Sequence, residues 1–174
     1  DIGDDPIFNI TDQITAACWI KVNQFNVDWQ AIFTMGDDSW RLQRQTTTDN
    51  LCWACTAVTG TPGHWWLHGD VNVDDGELHH IAGVYDGLKY YLYVDGDLDV
   101  YKDASGKISS SNYPVFIGAN AKQGGRDFDG VIDDVRVYKR ARMDTGVHGV
   151  LSGGGVGWPD AWGPTSSTCR CYAV

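Results

Sequence analysis

Trp65 and Trp66 stand side by side between Pro62-Gly63-His64 and Leu67-His68-Gly69. Exposed indoles stack on the apolar faces of pyranose rings, while neighbouring Arg, His, Asn and Asp side chains bond the sugar hydroxyls. Trp40, Arg41 and Arg44 lie on a neighbouring segment, with Trp29 ahead of them. The candidate sugar-contacting set is therefore His64, Trp65, Trp66, Trp40 and Arg41. The competing explanation is that a large β-structure needs big side chains to cover its ends. Adjacent tryptophans cannot both face one way in an extended strand, so one of Trp65 and Trp66 is expected inside.

Other chemistries fare worse. Glycoside hydrolysis ordinarily uses a pair of Asp or Glu carboxylates, and no strand sets two aspartates on one face of an obvious cleft. Of the 23 acidic residues only Glu77 is a glutamate. No Gly-x-Ser-x-Gly elbow is present to seat a nucleophilic serine. His64 and His68 have the spacing of one helical turn, but their Gly/Pro-rich surroundings are not helical, so a zinc pair is not expected. His79 and His80 read as structural. The acidic clusters Asp70-Asn72-Asp74-Asp75 and Asp37-Asp38 read as solvated turns. A polysaccharide lyase, which needs a Tyr or His base with basic neighbours, stays as the lesser alternative, and the expectation is a chain without catalytic residues.

The five cysteines are Cys18, Cys52, Cys55, Cys169 and Cys171. An odd number suggests up to two disulfides and one remaining thiol. Cys52 and Cys55 are three apart in an apparent strand and so point to opposite faces. Cys18 shares a face with Ile14, Ile20 and Val22 and suits a small buried hydrophobe. Cys169 and Cys171 could staple the tail to the body through Cys52 or Cys55.

The elements that must position these groups are strands. Helix signals are nearly absent, and short alternating segments recur between Gly, Asp, Asn and Ser clusters. Strands are expected near residues 14–22, 30–35, 39–46, 51–58, 78–85, 89–95, 98–102, 114–119 and 130–138, with Trp65 and Trp66 outside them. Lys89 to Leu98 contains Asp95-Gly96, the pair that supplies the positive φ angles of a two-residue hairpin turn. From Gly149 the sequence becomes Gly-rich and then carries Trp158, Pro159, Trp162 and Pro164. This divides the chain into a β-domain over 1–148 and a tail over 149–174, packed on the surface or mediating contacts.

The formal net charge of -10 comes almost wholly from aspartate, which is favoured in turns and around calcium. Such a balance argues against nucleic acid, whose phosphates would be repelled. No apolar run is long enough for a membrane span. The chain opens on Asp1, without a basic, apolar leader, and a processed product is expected.

Two stretches carry a family resemblance: Asn9-Ile10-Thr11 to Ile14–Lys21, and Gly76-Glu77-Leu78-His79-His80-Ile81-Ala82-Gly83-Val84-Tyr85-Asp86-Gly87. Leu92-Tyr93-Val94-Asp95-Gly96, Phe116-Ile117-Gly118 and Phe128 to Tyr138 continue it. In order and spacing, from about residue 7 to about 142, they resemble bacterial laminin-G-like jelly-roll domains of the concanavalin A-like lectin/glucanase superfamily. The resemblance implies an all-β, two-sheet antiparallel jelly-roll sandwich in a secreted or cell-surface setting. Leu78 stands where the family usually has Trp. The family's usual first strand would precede Asp1, leaving a sheet edge for the tail or a strand in trans.

Alternation along Gly130–Tyr138 puts Asp133 on a face with Val131, Val135 and Val137, where an ionised carboxylate is costly unless paired or bound to metal. The resemblance implies that the aspartate at this position helps hold a structural calcium near the N-terminal loop, where backbone carbonyls with Asp4 and Asp5 could complete an oxygen cage. Backbone hydrogen bonds or an arginine partner would satisfy Asp133 equally. Two functions follow as expectations. One is a calcium-stabilised, non-catalytic extracellular module that binds a polysaccharide or glycan or mediates adhesion. The other is a subunit that self-associates through its sheet edge and tail.

Overall fold

The computed structural model describes residues 1–60 and 65–143 and the backbone of 171–173. His64, Cys169 and most of the 149–174 tail lie outside the described residues. In chain order the strands are β1 (Ile14–Val22), β2 (Ala31–Thr34), β3 (Trp40–Arg44), β4 (Asn50–Cys55), β5 (Thr59–Gly60) and β6 (Trp66–Asn72). They continue with β7 (Leu78–Tyr85), β8 (Lys89–Val94), β9 (Asp97–Ser105), β10 (Phe116–Ile117), β11 (Gly130–Tyr138) and β12 (Cys171–Ala173). One sheet has the order β12-β11-β1-β7-β8-β9-β5, the other β10-β2-β3-β4-β6. Their pairings are antiparallel except for β12, which runs parallel to β11 along Val135–Val137. The chain is an all-β jelly-roll sandwich.

Period-2 alternation builds the core. In β1, Ile14, Ala16, Cys18, Ile20 and Val22 are at most 1% exposed and face the second sheet. Burying a side chain the size of Ile stabilises by about 1.5–3 kcal/mol. Trp53 of β4 fills the middle of the sandwich, and its indole N–H donates to the Val84 carbonyl at 3.1 Å. Gly83 makes room for it: a Cβ there would lie 2.4 Å from the indole Cδ2. The Asp95-Gly96 turn forms as its sequence requires, with φ of 54° and 88° and Val94 opposite Asp97.

Two expectations need correction. The segment at Trp66 is a strand, β6, pairing with β4 through Ala54–Trp66, Trp53–Leu67 and Cys52–His68. Its signal is masked because the inward position after Leu67 is Gly69, where a Cβ would come within 2.5 Å of Asp99 Oδ2 and 2.8 Å of Leu92 Cδ2. The alternation expected along β11 also fails. Ala17 pairs with Arg136 and Trp19 with Asp133, so β11 carries one residue more than β1 in that interval. Asp134 absorbs the extra residue at φ 49°, which is a β-bulge. Ile132, Val135 and Val137 then pack on the core, whereas Val131 is 53% exposed. Asp133 sits opposite Trp19 on the outer face, not among valines.

Two adjacent histidines of β7, His80 on that outer face opposite Trp19 and His79 opposite Ile20, titrate in opposite senses. His79 lies 2.8 Å from Asp95 and 3.1 Å from Asp75 through its two ring nitrogens. Burial opposes its protonation, but the two carboxylates outweigh burial and raise its pKa. His80, 1% exposed and edge-on to Trp19, is pushed down to about 4 by burial. Unfolded His80 takes a proton near pH 6.5 that the folded form refuses until about 4, so stability falls as pH drops through that window. The full effect is on the order of 3 kcal/mol. His79 acts at the other side: its contribution is complete below 6.5 and fades as pH rises through its raised folded value. Melting temperature against pH should therefore crest near 6.5. In His80→Phe the acid side of that crest should flatten, and an unchanged acid limb would refute the assignment. Gly83→Ala should cost at least about 1–3 kcal/mol by overpacking against Trp53, read as a lower midpoint in urea.

Candidate functional site

Register across the five-stranded sheet sorts its side chains into two layers. Trp40, Leu42, Leu51, Trp53, Cys55 and Leu67 point into the core. Between them, Thr34, Arg41, Ala54 and Trp66 form one row on the outer face, each opposite the next across β2, β3, β4 and β6. Gln43, Cys52 and His68 form a second row.

Aromatic rings line the β6 side of this face. Trp65, just before β6, is 38% exposed and meets Trp66 edge to face, with centroids 4.8 Å apart and planes at 88°. Trp66 stacks with His68 at 6.0 Å, and Trp29 approaches His68 at 6.3 Å. Trp65 is pinned from three sides. Its carbonyl accepts from Cys55 N–H at 3.3 Å and from Tyr90 O–H at 3.2 Å. Tyr90 is fully buried and reaches across from β8 in the opposite sheet. The Arg41 guanidinium lies over the Trp65 ring, 4.4 Å from its centroid.

Arg41 is only 2% exposed, and burial lowers its pKa. Its Nη1 donates to the Asp37 carbonyl at 3.0 Å and to Thr56 Oγ1 at 3.1 Å, and its Nε lies 3.6 Å from Asp37 Oδ1. The Asp37 carboxylate also accepts from Arg126 Nη1 at 3.2 Å and Asn120 Nδ2 at 2.8 Å. Asp38 pairs with Lys122. Both lie in the turn between β2 and β3, as expected, but each is ion-paired rather than left to solvent alone.

The predicted set is thus only partly assembled. Trp65, Trp66 and Arg41 come together on one surface. Trp40 does not: it is fully buried, alternates with Arg41, and donates its indole N–H to the Phe8 carbonyl. His64 lies outside the described residues. Trp29, noted ahead of this set, joins it beside His68, whereas His68, Asp37, Asn120 and Arg126 were not predicted. The Trp66-Leu67-His68 alternation is a signal for one of them, but no local pattern points to Asp37 meeting Asn120 and Arg126 more than eighty residues away.

The metal and disulfide candidates separate as well. Asp5 Oδ1 accepts from Ile7 N–H and caps the turn at Pro6–Phe8, and Asp4 is exposed. Asp133 Oδ1 accepts from Asp134 N–H, while Asp134 pairs with Arg136 at 2.6 Å. Among the described residues no group of three or more His, Cys, Asp or Glu side chains could hold a metal ion. Cys52 and Cys55 are buried free thiols on opposite faces of β4. Burial pushes the Cys52 thiol up to about 12 and raises that of Cys55 too, so neither is a ready nucleophile. Of Cys171 only the backbone, in β12, is described.

Residues 1–148 match the family model of the concanavalin A-like lectin/glucanases superfamily, laminin G type. The chain belongs to this family. No curated protein matches it by sequence. Among solved structures, this laminin-G-type domain is similar to a candidate carbohydrate-binding protein from Bacteroides ovatus. The TM-score is 0.65 at 22% identity, over 78% of this chain and 40% of that one. It therefore spans less than half of that protein's length. It is also similar to the carbohydrate-binding module (CBM40) of a Ruminococcus gnavus sialidase bound to α2,6-sialyllactose (TM-score 0.65, 19% identity), covering 85% of this chain and 91% of the module. A third is domain 4 of the extracellular arabinanase AbnA of Geobacillus stearothermophilus, in complex with arabinotriose. There the TM-score is 0.60 at 18% identity, over 83% and 68% of the two chains. These likenesses show the fold.

Because Arg41 props the Trp65 ring, Arg41→Met should red-shift tryptophan emission and lower the melting temperature. Tyr90→Phe should do the same more weakly, by about 1 kcal/mol for the lost hydrogen bonds. An unshifted emission spectrum in both variants would show that Trp65 is positioned by something else.

Proposed function

We propose that this chain is a non-catalytic carbohydrate-binding module of an extracellular protein. The observation that carries this reading is Trp65: an indole left 38% exposed although its backbone and one ring face are held by buried groups. A fixed, half-open aromatic ring flanked by Trp66 suits the apolar face of a sugar and loses little entropy on binding. The carboxylates nearby support binding over hydrolysis. Asp37 is occupied by two guanidinium groups and an amide, and Asp38 by Lys122, so neither stands free as an acid, base or nucleophile. The solved relatives that carry carbohydrate-binding descriptions, one with sialyllactose and one with arabinotriose, agree with this reading.

The test is a titration of the whole chain with arabinotriose, sialyllactose and a panel of plant and host oligosaccharides, followed by tryptophan fluorescence and calorimetry. Trp65→Ala should weaken binding about ten-fold or more, the value of a stacking contact of about 1.5 kcal/mol. Trp40→Phe should lower stability and leave affinity unchanged, since Trp40 never reaches the surface. Binding that survives loss of Trp65 would refute the site. Asp4, Asp5 and Asp133 are not gathered into a side-chain group that could hold a metal ion, so binding should persist in EDTA, and its loss there would show that calcium supports the site.

A further inference from the structure

Resting on that reading, we propose that the hydroxyl-rich cleft beside Trp65 is a second subsite, which takes the adjoining neutral sugar unit of the same chain. The cleft has a volume of 610 Å³, within the usual range for small-ligand sites, and is lined by Asp38, Thr56, Ser109, Ser110, Asn112 and Tyr113 among others. One guanidinium joins it to the tryptophan platform. Arg41 touches the Trp65 ring with its face and the Thr56 hydroxyl with its Nη1.

The cleft's backbone is fixed while its side chains are left open. Ser109 N–H donates to the Thr56 carbonyl at 2.9 Å, and Ser111 N–H to Asn9 Oδ1 at 2.9 Å. Ser111 Oγ in turn accepts from Tyr113 N–H at 3.0 Å. The Tyr113 side chain packs flat on Gly36, where a Cβ would lie 3.2 Å from it. Against this brace, the side chains of Ser109, Ser110 and Asn112 hydrogen-bond to nothing among the described residues. Two hydroxyls and an amide in one cleft, each able to donate and accept, match vicinal sugar hydroxyls, and Tyr113 offers an aromatic wall. The charge pattern favours a neutral unit. Asp38 is part of the lining, and Lys122 is already paired with it, so a carboxylate or sulfate on the ligand would face a carboxylate.

Chain length separates the subsite from the platform. Malto-, cello-, xylo- and arabino-oligosaccharides, each from disaccharide to hexasaccharide, would be titrated calorimetrically into the whole chain, with 3′-sialyllactose as the charged probe. For the series that binds, affinity should rise about ten-fold from the shortest member to the longest. Tyr113→Ala and the Ser110→Ala/Asn112→Ala double variant should abolish that rise and leave disaccharide affinity unchanged. The double variant alters exposed side chains, so it guards against a folding defect in the first, and thermal melts check both. Trp65→Ala should instead weaken every length. A rise that survives in both cleft variants overturns the subsite while the platform stands. Equal loss at all lengths assigns the cleft residues to the platform and overturns it too. A Tyr113-dependent preference for 3′-sialyllactose overturns the neutral assignment. If no probe binds the wild-type chain, the underlying glycan reading falls and the subsite falls with it.

Discussion

A guanidinium buried on the outside of a β-sheet is the constraint around which this surface is arranged. Removing Arg41 from water is costly by several kcal/mol unless its charge and donors are met. They are met by a set of groups gathered from distant parts of the chain: Asp37 in the β2–β3 turn and Thr56 beyond β4. Asp37 in turn ties down Asn120 and Arg126 from the loop before β11. One charge thereby fixes three loops at the same end of the five-stranded sheet, and its remaining face supports Trp65. Removing any one partner would strand the others, which makes this polar corner as interdependent as the apolar core beneath it.

The core itself is conventional, and much of it was legible. Alternation in β1, the Asp-Gly hairpin between β8 and β9, and the spacing of the family-like segments depend only on short-range preferences, and the sandwich follows from them. Legibility ended where tertiary packing overrode the local pattern. At Gly69 a neighbouring sheet forbids a side chain, so β6 lacks the apolar alternation that would have announced it. At Asp134 a single extra residue inverts the register, and Val135 and Val137 part from the face of Asp133.

The candidate site shows the same division. Trp65, Trp66 and Arg41 were grouped from residue type alone, and the structure places them on one surface. Trp40 was misplaced for a simple reason: its neighbour Arg41 points the other way, and one residue of alternation separates the core from the surface. Asp37 and Asp38 read as turn residues, since nothing local to them reveals a cation brought in from residues 122 and 126. Long-range polar pairing leaves no periodic trace in a sequence, whereas burial of apolar side chains does.

The bracing of the loop at residues 109–113 has an evolutionary consequence. Its path is dictated by main-chain amides and by Ser111, while the side chains of Ser109, Ser110 and Asn112 hydrogen-bond to no other described residue. Substitutions at those three positions break no side-chain hydrogen bond with the described residues, so drift can explore them. A lineage descended from this chain could change its chemical taste there while inheriting its scaffold intact.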